Sequence, residues 1–245
     1  SVQGWQVTRD HVGMRACFAN LKTSEVETVR RFLSDFRQYV ILGLTSRLRS
    51  HFSDELDWCL ALDYNAESPE EMSQHKRTPI GQLEYRAKYE ESQRAVAILA
   101  EQMAGLFERV KHTIPSKPLC LSYIPSASHK QFDLPRELVR SLTRKLGATG
   151  VNRASPMVVH PKLTADKPNL KELPLSDKIA SWRSLQESGA ITLSHTVVDR
   201  TVVVVDDIYQ SGVTLWSYAA YLKSAGAAVV VGMVCVKSCR DTDNL

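Results

Sequence analysis

The stretch Val202-Val203-Val204-Val205-Asp206-Asp207-Ile208-Tyr209-Gln210-Ser211-Gly212-Val213-Thr214-Leu215 decides the fold. Thr201 to Val205 is a continuous β-branched run, Thr214 to Ala225 reads as a helix ended by Gly226, and Ala228 to Val236 is a second apolar strand. Strand, loop, helix, strand, with both strands apolar throughout, predicts a right-handed βαβ crossover in a parallel sheet covered on both faces. Two carboxylates at the carboxyl end of such a strand stand at the edge where open α/β sheets bind ligands. Gly212 lets the backbone turn tightly, and the N–H groups of the loop and first helical turn, joined by the hydroxyls of Ser211 and Thr214, make a phosphate cradle. Asp206 and Asp207 can accept hydrogen bonds from vicinal hydroxyls, so the whole stretch suits a ribose with a phosphate on its 5′ carbon. No G-x-x-x-x-G-K-[ST] and no G-x-G-x-x-G occurs among the eleven glycines, which excludes a P-loop and the usual dinucleotide fingerprint.

Working outward, Leu119 to Ile124 is another apolar, strand-length run, followed by a helix with Asp133 as N-cap, Leu134, Leu138, Leu142 and Leu146 on one face, and Gly147 as stop. Met157 to Val159 is a short strand candidate. Between the two halves, Pro161 to Gly189 is polar, holds three prolines and shows one short helix around Asp177 to Gln186; such a segment reads as an active-site lid or a plain insertion. Upstream, a helix is expected from Ser92, with Ala95, Val96, Leu99, Met103, Leu106 and Val110 in one stripe. Ser24 and Glu27 have capping-box spacing, and Val26, Val29, Leu33, Phe36 and Val40 follow at steps of three and four, which predicts a helix from about Ser24 to Arg49. Trp58 to Leu62 reads as a strand, and Asp63 to Gly81 as a long loop or domain junction. The expected organisation is a mainly helical region over 1–80, then an α/β domain over 81–245.

The 245 residues, 43% of them hydrophobic, suffice for one large or two small packed cores. The longest apolar run, Ala227 to Val236, is half of what a membrane span needs, at about 20 residues. Five scattered cysteines, an odd number set mostly among apolar residues, point to buried thiols in a reducing cytoplasm rather than a disulfide frame. The net charge of +4 is uneven: residues 1–80 hold ten Lys+Arg against eleven Asp+Glu, whereas Lys111 to Arg153 hold eight against two. Such a field faces an anion or is simply a solvated helix face.

Val202 to Leu215 resembles the 5-phosphoribosyl-1-pyrophosphate (PRPP) motif of type I phosphoribosyltransferases, in which four hydrophobics and two acids precede a T-T-G-x-T type loop. Here the loop is Gln210-Ser211-Gly212-Val213-Thr214, departing at its first threonine and conservatively at its second. Within that superfamily, Lys130-Gln131-Phe132-Asp133 resembles the R-G-F-N-Q segment of ComF-like competence proteins, Ile124-Pro125 their V-P strand end, and Lys88-Tyr89 their K-Y pair. The four-cysteine zinc module that often opens those proteins is absent, and residues 1–80 match nothing in the family. The resemblance implies a Rossmann-like parallel-sheet core with a helical N-terminal region or hood. It also implies that Asp206 and Asp207 bind the ribose hydroxyls and that Gln210 to Thr214 bind the 5′-phosphate. Ser126, Ala127, Ser128, His129 and Lys130 would form the pyrophosphate loop, with Lys130 as its cation and Lys88 and Tyr89 in the hood. Mg2+ would bridge sugar and pyrophosphate through the substrate, near Asp206 and Asp207.

Two classes of function follow. One is an enzyme that transfers a phosphoribosyl group from PRPP to a base or amine. The other is a non-catalytic binder of a ribose 5-phosphate nucleotide, or of DNA or RNA through the basic Lys111 to Arg153 stretch. Either is expected to be cytoplasmic, without a membrane partner, and able to form homo-oligomers.

Overall fold

The computed structural model describes residues 5–10, 13–18, 26, 27, 30, 34, 36, 38–45, 47–67, 76–126, 131–148, 156–165 and 173–239. Its centre is a six-stranded sheet. The strands are β3 (Val40–Leu42), β4 (Trp58–Tyr64), β5 (Leu119–Tyr123), β6 (Met157–Val158), β9 (Thr201–Tyr209) and β10 (Val229–Lys237), in the order β3-β4-β10-β9-β5-β6. All neighbours are parallel except the edge pair β3–β4. The expected α/β class with a mostly parallel sheet is therefore what the chain adopts. A separate hairpin joins β1 (Trp5–Asp10) to β2 (Gly13–Phe18), and another pairs β7 (Pro161–Leu163) with β8 (Ile191–Leu193).

Unbroken apolar strands need cover on both faces, and each face has its own core. On one side lie α1 (Pro79–Tyr89), α2 (Gln93–Val110) and α3 (Leu134–Ala148), whose Ala87, Leu99, Met103, Leu138 and Leu142 pack with Val203, Val205 and Val231 of the sheet. On the other lie α4 (Leu175–Glu187) and α5 (Val213–Ser224), whose Trp182, Tyr218 and Leu222 pack with Val202, Val204 and Val230. Alternation along β9 thus feeds its valines to the two cores in turn. One polar contact sits inside: Ser122 on β5 donates to the Val159 carbonyl at 3.0 Å and lies 2.9 Å from the Tyr218 hydroxyl, tying β5 to α5.

Three sequence expectations are corrected. Val26, Glu27, Arg30, Ser34 and Phe36 are helical, but the helix predicted to Arg49 gives way to β3, because the apolar run Val40-Ile41-Leu42 pairs antiparallel with Cys59 to Ala61. The long loop read over Asp63 to Gly81 ends earlier, in α1. Thr78 caps that helix by accepting from Gly81 N–H at 3.0 Å, donates to the Tyr64 carbonyl at 2.5 Å, and precedes Pro79 at the first helical position. Gly81 lets this turn lie against Asn65, whose carbonyl oxygen would stand 2.2 Å from any Cβ there. The polar segment Pro161 to Gly189 is not one free lid either: Ile179, Trp182 and Leu185 of α4 are buried in the α5-side core, and Gln186 donates to the Ser217 carbonyl at 2.7 Å.

Strands β3 and β4 precede residue 80 and belong to the central sheet. Among the described residues no helix is long and apolar enough to cross a membrane.

Candidate functional site

The site lies at the carboxyl ends of the parallel strands, where β9 carries Asp206 and Asp207 as its sixth and seventh residues. Both are half-buried. Asp206 accepts from the Asp207 N–H at 2.9 Å, and its charge, after burial itself, helps push the Cys59 thiol up. Asp207 turns toward α1, where its Oδ2 stands 2.6 Å from Lys88 Nζ.

Beyond the strand, Tyr209 is buried rather than presented to a ligand. Its hydroxyl accepts from Trp216 Nε1 at 3.2 Å and would lie 2.1 Å from a Cβ at Gly212. Gly212 itself sits at φ +87°, in the left-handed region, and is the N-cap of α5 without a side-chain cap. Two independent constraints, conformation and space, therefore require glycine there. The turn aims the first N–H groups of α5 back over the loop, where the helix's positive end favours an anion. Ser211 is buried and Thr214 half-buried, and among the described residues neither hydroxyl is engaged by a side-chain hydrogen bond. Lys237, at the end of β10, donates to the Gln210 carbonyl at 2.8 Å and so pins the start of the loop.

On the neighbouring strand, the segment after β5 begins beside the acids, since Ile124 N–H donates to the Val205 carbonyl at 3.4 Å. Ser126 donates to Asp133 Oδ2 at 2.7 Å, closing the ends of the expected pyrophosphate loop onto the start of α3. Ala127, Ser128, His129 and Lys130 lie outside the described residues.

The expected hood residues separate. Lys88 reaches the site, whereas its neighbour Tyr89 is 65% exposed, with its ring paired with Tyr85 at 4.9 Å between centroids. Glu84 is the residue that sequence reasoning missed. It lies one turn before Lys88, with Oε1 3.7 Å from Nζ, and its side chain is only 9% exposed. Its signal was the spacing of a carboxylate and an amine at i and i+4 after the Thr78-Pro79 start, on a helix of which only the first three residues fall in the expected loop.

Burial pushes the Glu84 carboxyl up to about 7, Lys88 and Arg77 pulling against it and Asp207 adding to it. Burial pulls the Lys88 ammonium down, but Asp207 and Glu84 outweigh it and hold Lys88 above its ordinary range. The buried Cys235 thiol beside them is pushed well up by burial, then by Asp207, Glu84 and Asp206. A carboxyl whose folded value lies above its unfolded one supports the fold fully below about 4.5 and loses that support as pH rises through 7. Glu84→Gln is therefore expected to be more stable than the wild type at pH 8 by on the order of 3 kcal/mol, with the gap closing toward pH 4.5. Urea unfolding across that range checks it; a gap that stays constant with pH would refute the assignment.

The basic stretch from Lys111 to Arg153 is less of a bare field than its composition implies. Lys111 pairs with Glu108, Lys145 with Glu101, Arg140 with Glu137 at 3.5 Å and Lys117 with Asp199 at 2.6 Å. Half of its eight cations thus already face carboxylates, which lowers the potential offered to a polyanion.

No protein-family model matches the sequence, and a comparison with curated proteins gives no match. Among solved structures, the chain is similar to a hypoxanthine phosphoribosyltransferase from Staphylococcus aureus, with 11% identity and a TM-score of 0.35 over 58% of this chain and 62% of that one. A hypoxanthine-guanine phosphoribosyltransferase from Bacillus anthracis follows at 12% identity and 0.32 over 65% and 68%, and the hypoxanthine phosphoribosyl transferase of Trypanosoma cruzi at 14% and 0.32 over 64% and 66%. The chain spans under two thirds of the length of the Staphylococcus aureus structure. The α/β class is carried by the strand order and register described above.

Proposed function

We propose that the protein belongs with the type I phosphoribosyltransferases and binds PRPP, transferring its 5-phosphoribosyl group to a base or amine with release of pyrophosphate. The observation that supports this most is the joining of Asp206 and Asp207 to a left-handed Gly212 and the start of α5 within one strand-turn-helix unit. Carboxylates suited to a vicinal diol stand within eight residues of amides suited to a phosphate, as ribose 5-phosphate requires. The ligand-binding groups of this reading all fall within residues 81–245.

In this reading Ser211, Gly212, Val213 and Thr214 take the 5′-phosphate, with the loop's start held by Gln210. The pyrophosphate is assigned to Ser126 to Lys130, with Lys130 as the cation, as the sequence resemblance implies. Among the described residues no three or more His, Cys, Asp or Glu gather into a metal cage. The two half-buried carboxylates Asp206 and Asp207 fit magnesium, which keeps several waters and takes one or two carboxylates together with substrate phosphates. When bound it would neutralise charge on the leaving pyrophosphate. The protein's own part is to orient the sugar through its hydroxyls and to place cations and amides where that charge grows.

The expected outcome is pyrophosphate release when the chain, PRPP and magnesium meet a suitable base or amine. A coupled assay across purine, pyrimidine and simple amine acceptors tests it. Calorimetry showing no heat with PRPP, ribose 5-phosphate or nucleoside monophosphates sinks the reading. Binding of DNA with steep salt dependence and no pyrophosphate release would favour the non-catalytic alternative.

A further inference from the structure

We propose that Lys88 is an exchangeable counterion, which holds Asp207 until the ribose hydroxyls of a ligand take that carboxylate and then passes to the ligand's pyrophosphate. Glu84 keeps the ammonium at the site throughout. The inference rests on the phosphoribosyl reading above and adds to it a means of telling a ribose 5-phosphate that carries a 1-pyrophosphate from one that does not.

The geometry carries it in three steps. First, Lys88 Nζ stands 2.6 Å from Asp207 Oδ2, one of the carboxylate oxygens read here as accepting from a ribose hydroxyl. A hydroxyl that donates to Oδ2 therefore meets the ammonium at that atom. Second, the three side chains are unequally enclosed. The Lys88 side chain is 27% exposed, against 13% for Asp207 and 9% for Glu84, and its ammonium sits on the longest and most flexible stem of the three. The cation is the member that can move. Third, it does not move alone. Glu84 lies one helical turn away at 3.7 Å, and the titratable and charged groups facing this pair are Arg77, Asp207, the Tyr89 ring and the Cys235 thiol. A cation that leaves Asp207 thus stays near Glu84, within reach of an anion arriving over the same strand ends.

Exchange has a selective consequence. A ligand that brings only the diol and the 5′-phosphate must displace Lys88 and gives it no new partner. One that also brings a pyrophosphate returns a charge-assisted contact for the one it takes. Lys88 is in this sense a specificity-determining residue.

Titration calorimetry of the full chain with magnesium, using PRPP and ribose 5-phosphate as probes, tests the exchange. Lys88→Met is expected to weaken PRPP binding about tenfold or more, the loss typical of one charge-assisted hydrogen bond, while leaving ribose 5-phosphate binding unchanged or tighter. Lys88→Gln, which keeps a donor for Asp207, is the second variant should methionine leave the chain unfolded, and the same pattern is expected of it. Equal weakening of both ligands would mark Lys88 as a fixed brace and overturn the exchange, as would no change in either. Wild-type protein that binds neither probe overturns both this inference and the reading beneath it.

Discussion

Replacing Asp206 and Asp207 together by asparagine is expected to abolish the heat that the wild-type chain gives with PRPP and magnesium. The substitution preserves shape, so the strand and its register with Val234 and Val236 should stand. What changes is chemistry: each carboxylate that accepted from a hydroxyl becomes an amide with one acceptor and two donors. Hydrogen bonds to charged groups contribute roughly 1.5–3 kcal/mol, so losing two of them lowers affinity about a hundredfold or more. Stability should change far less, because Lys88 retains Glu84 at 3.7 Å. Calorimetry gives the affinity and a urea melt gives the stability. Undiminished binding in a folded double variant would remove these carboxylates from ligand contact and with them the site assignment.

Gly212→Ala is expected to have the largest effect on the fold of any single change at the site. A side chain at φ +87° costs about 1–2 kcal/mol before any contact is counted. The new Cβ would also stand 2.1 Å from the Tyr209 hydroxyl and 2.4 Å from its Cζ. Tyr209 has nowhere to retreat, because it is buried and its hydroxyl accepts from Trp216. Together the two terms should lower unfolding stability by about 2–4 kcal/mol and displace the loop amides from any phosphate. A denaturation midpoint equal to that of the wild type would show that the turn is not built as described.

The sheet was legible because its two central strands, Val202 to Val205 and Val229 to Val236, are apolar on both faces, a pattern that admits few other readings. The acids and the glycine loop were legible for a related reason: they interrupt such a strand at its end. Where reading failed, the deciding information lay elsewhere in the chain. Val40 continued a helical stripe by spacing, yet its fate was settled by an antiparallel partner in β4. Helix α1 carries no broad apolar stripe, because Gly81 packs on a backbone carbonyl and Glu84 and Lys88 face a charged neighbour rather than a core. Its Thr78-Pro79 start was a local sign, but one that needed the contact with Tyr64 to be given weight. Polar burial of the kind Glu84 shows cannot be anticipated from periodicity, since it depends on a charge more than a hundred residues away.

The placement of β4 next to β10 also has a consequence for how the chain is made. Residues 58–64 pair with residues 231–237, so an early, apolar strand acquires its central neighbour only when almost the whole described chain is available. During synthesis β4 must wait, covered at most by β3 and the helices that follow it. Such non-local pairing slows folding and leaves an unpaired strand open to other chains. Expression yield should therefore be especially sensitive to trimming near Lys237, even though the ligand groups all lie earlier.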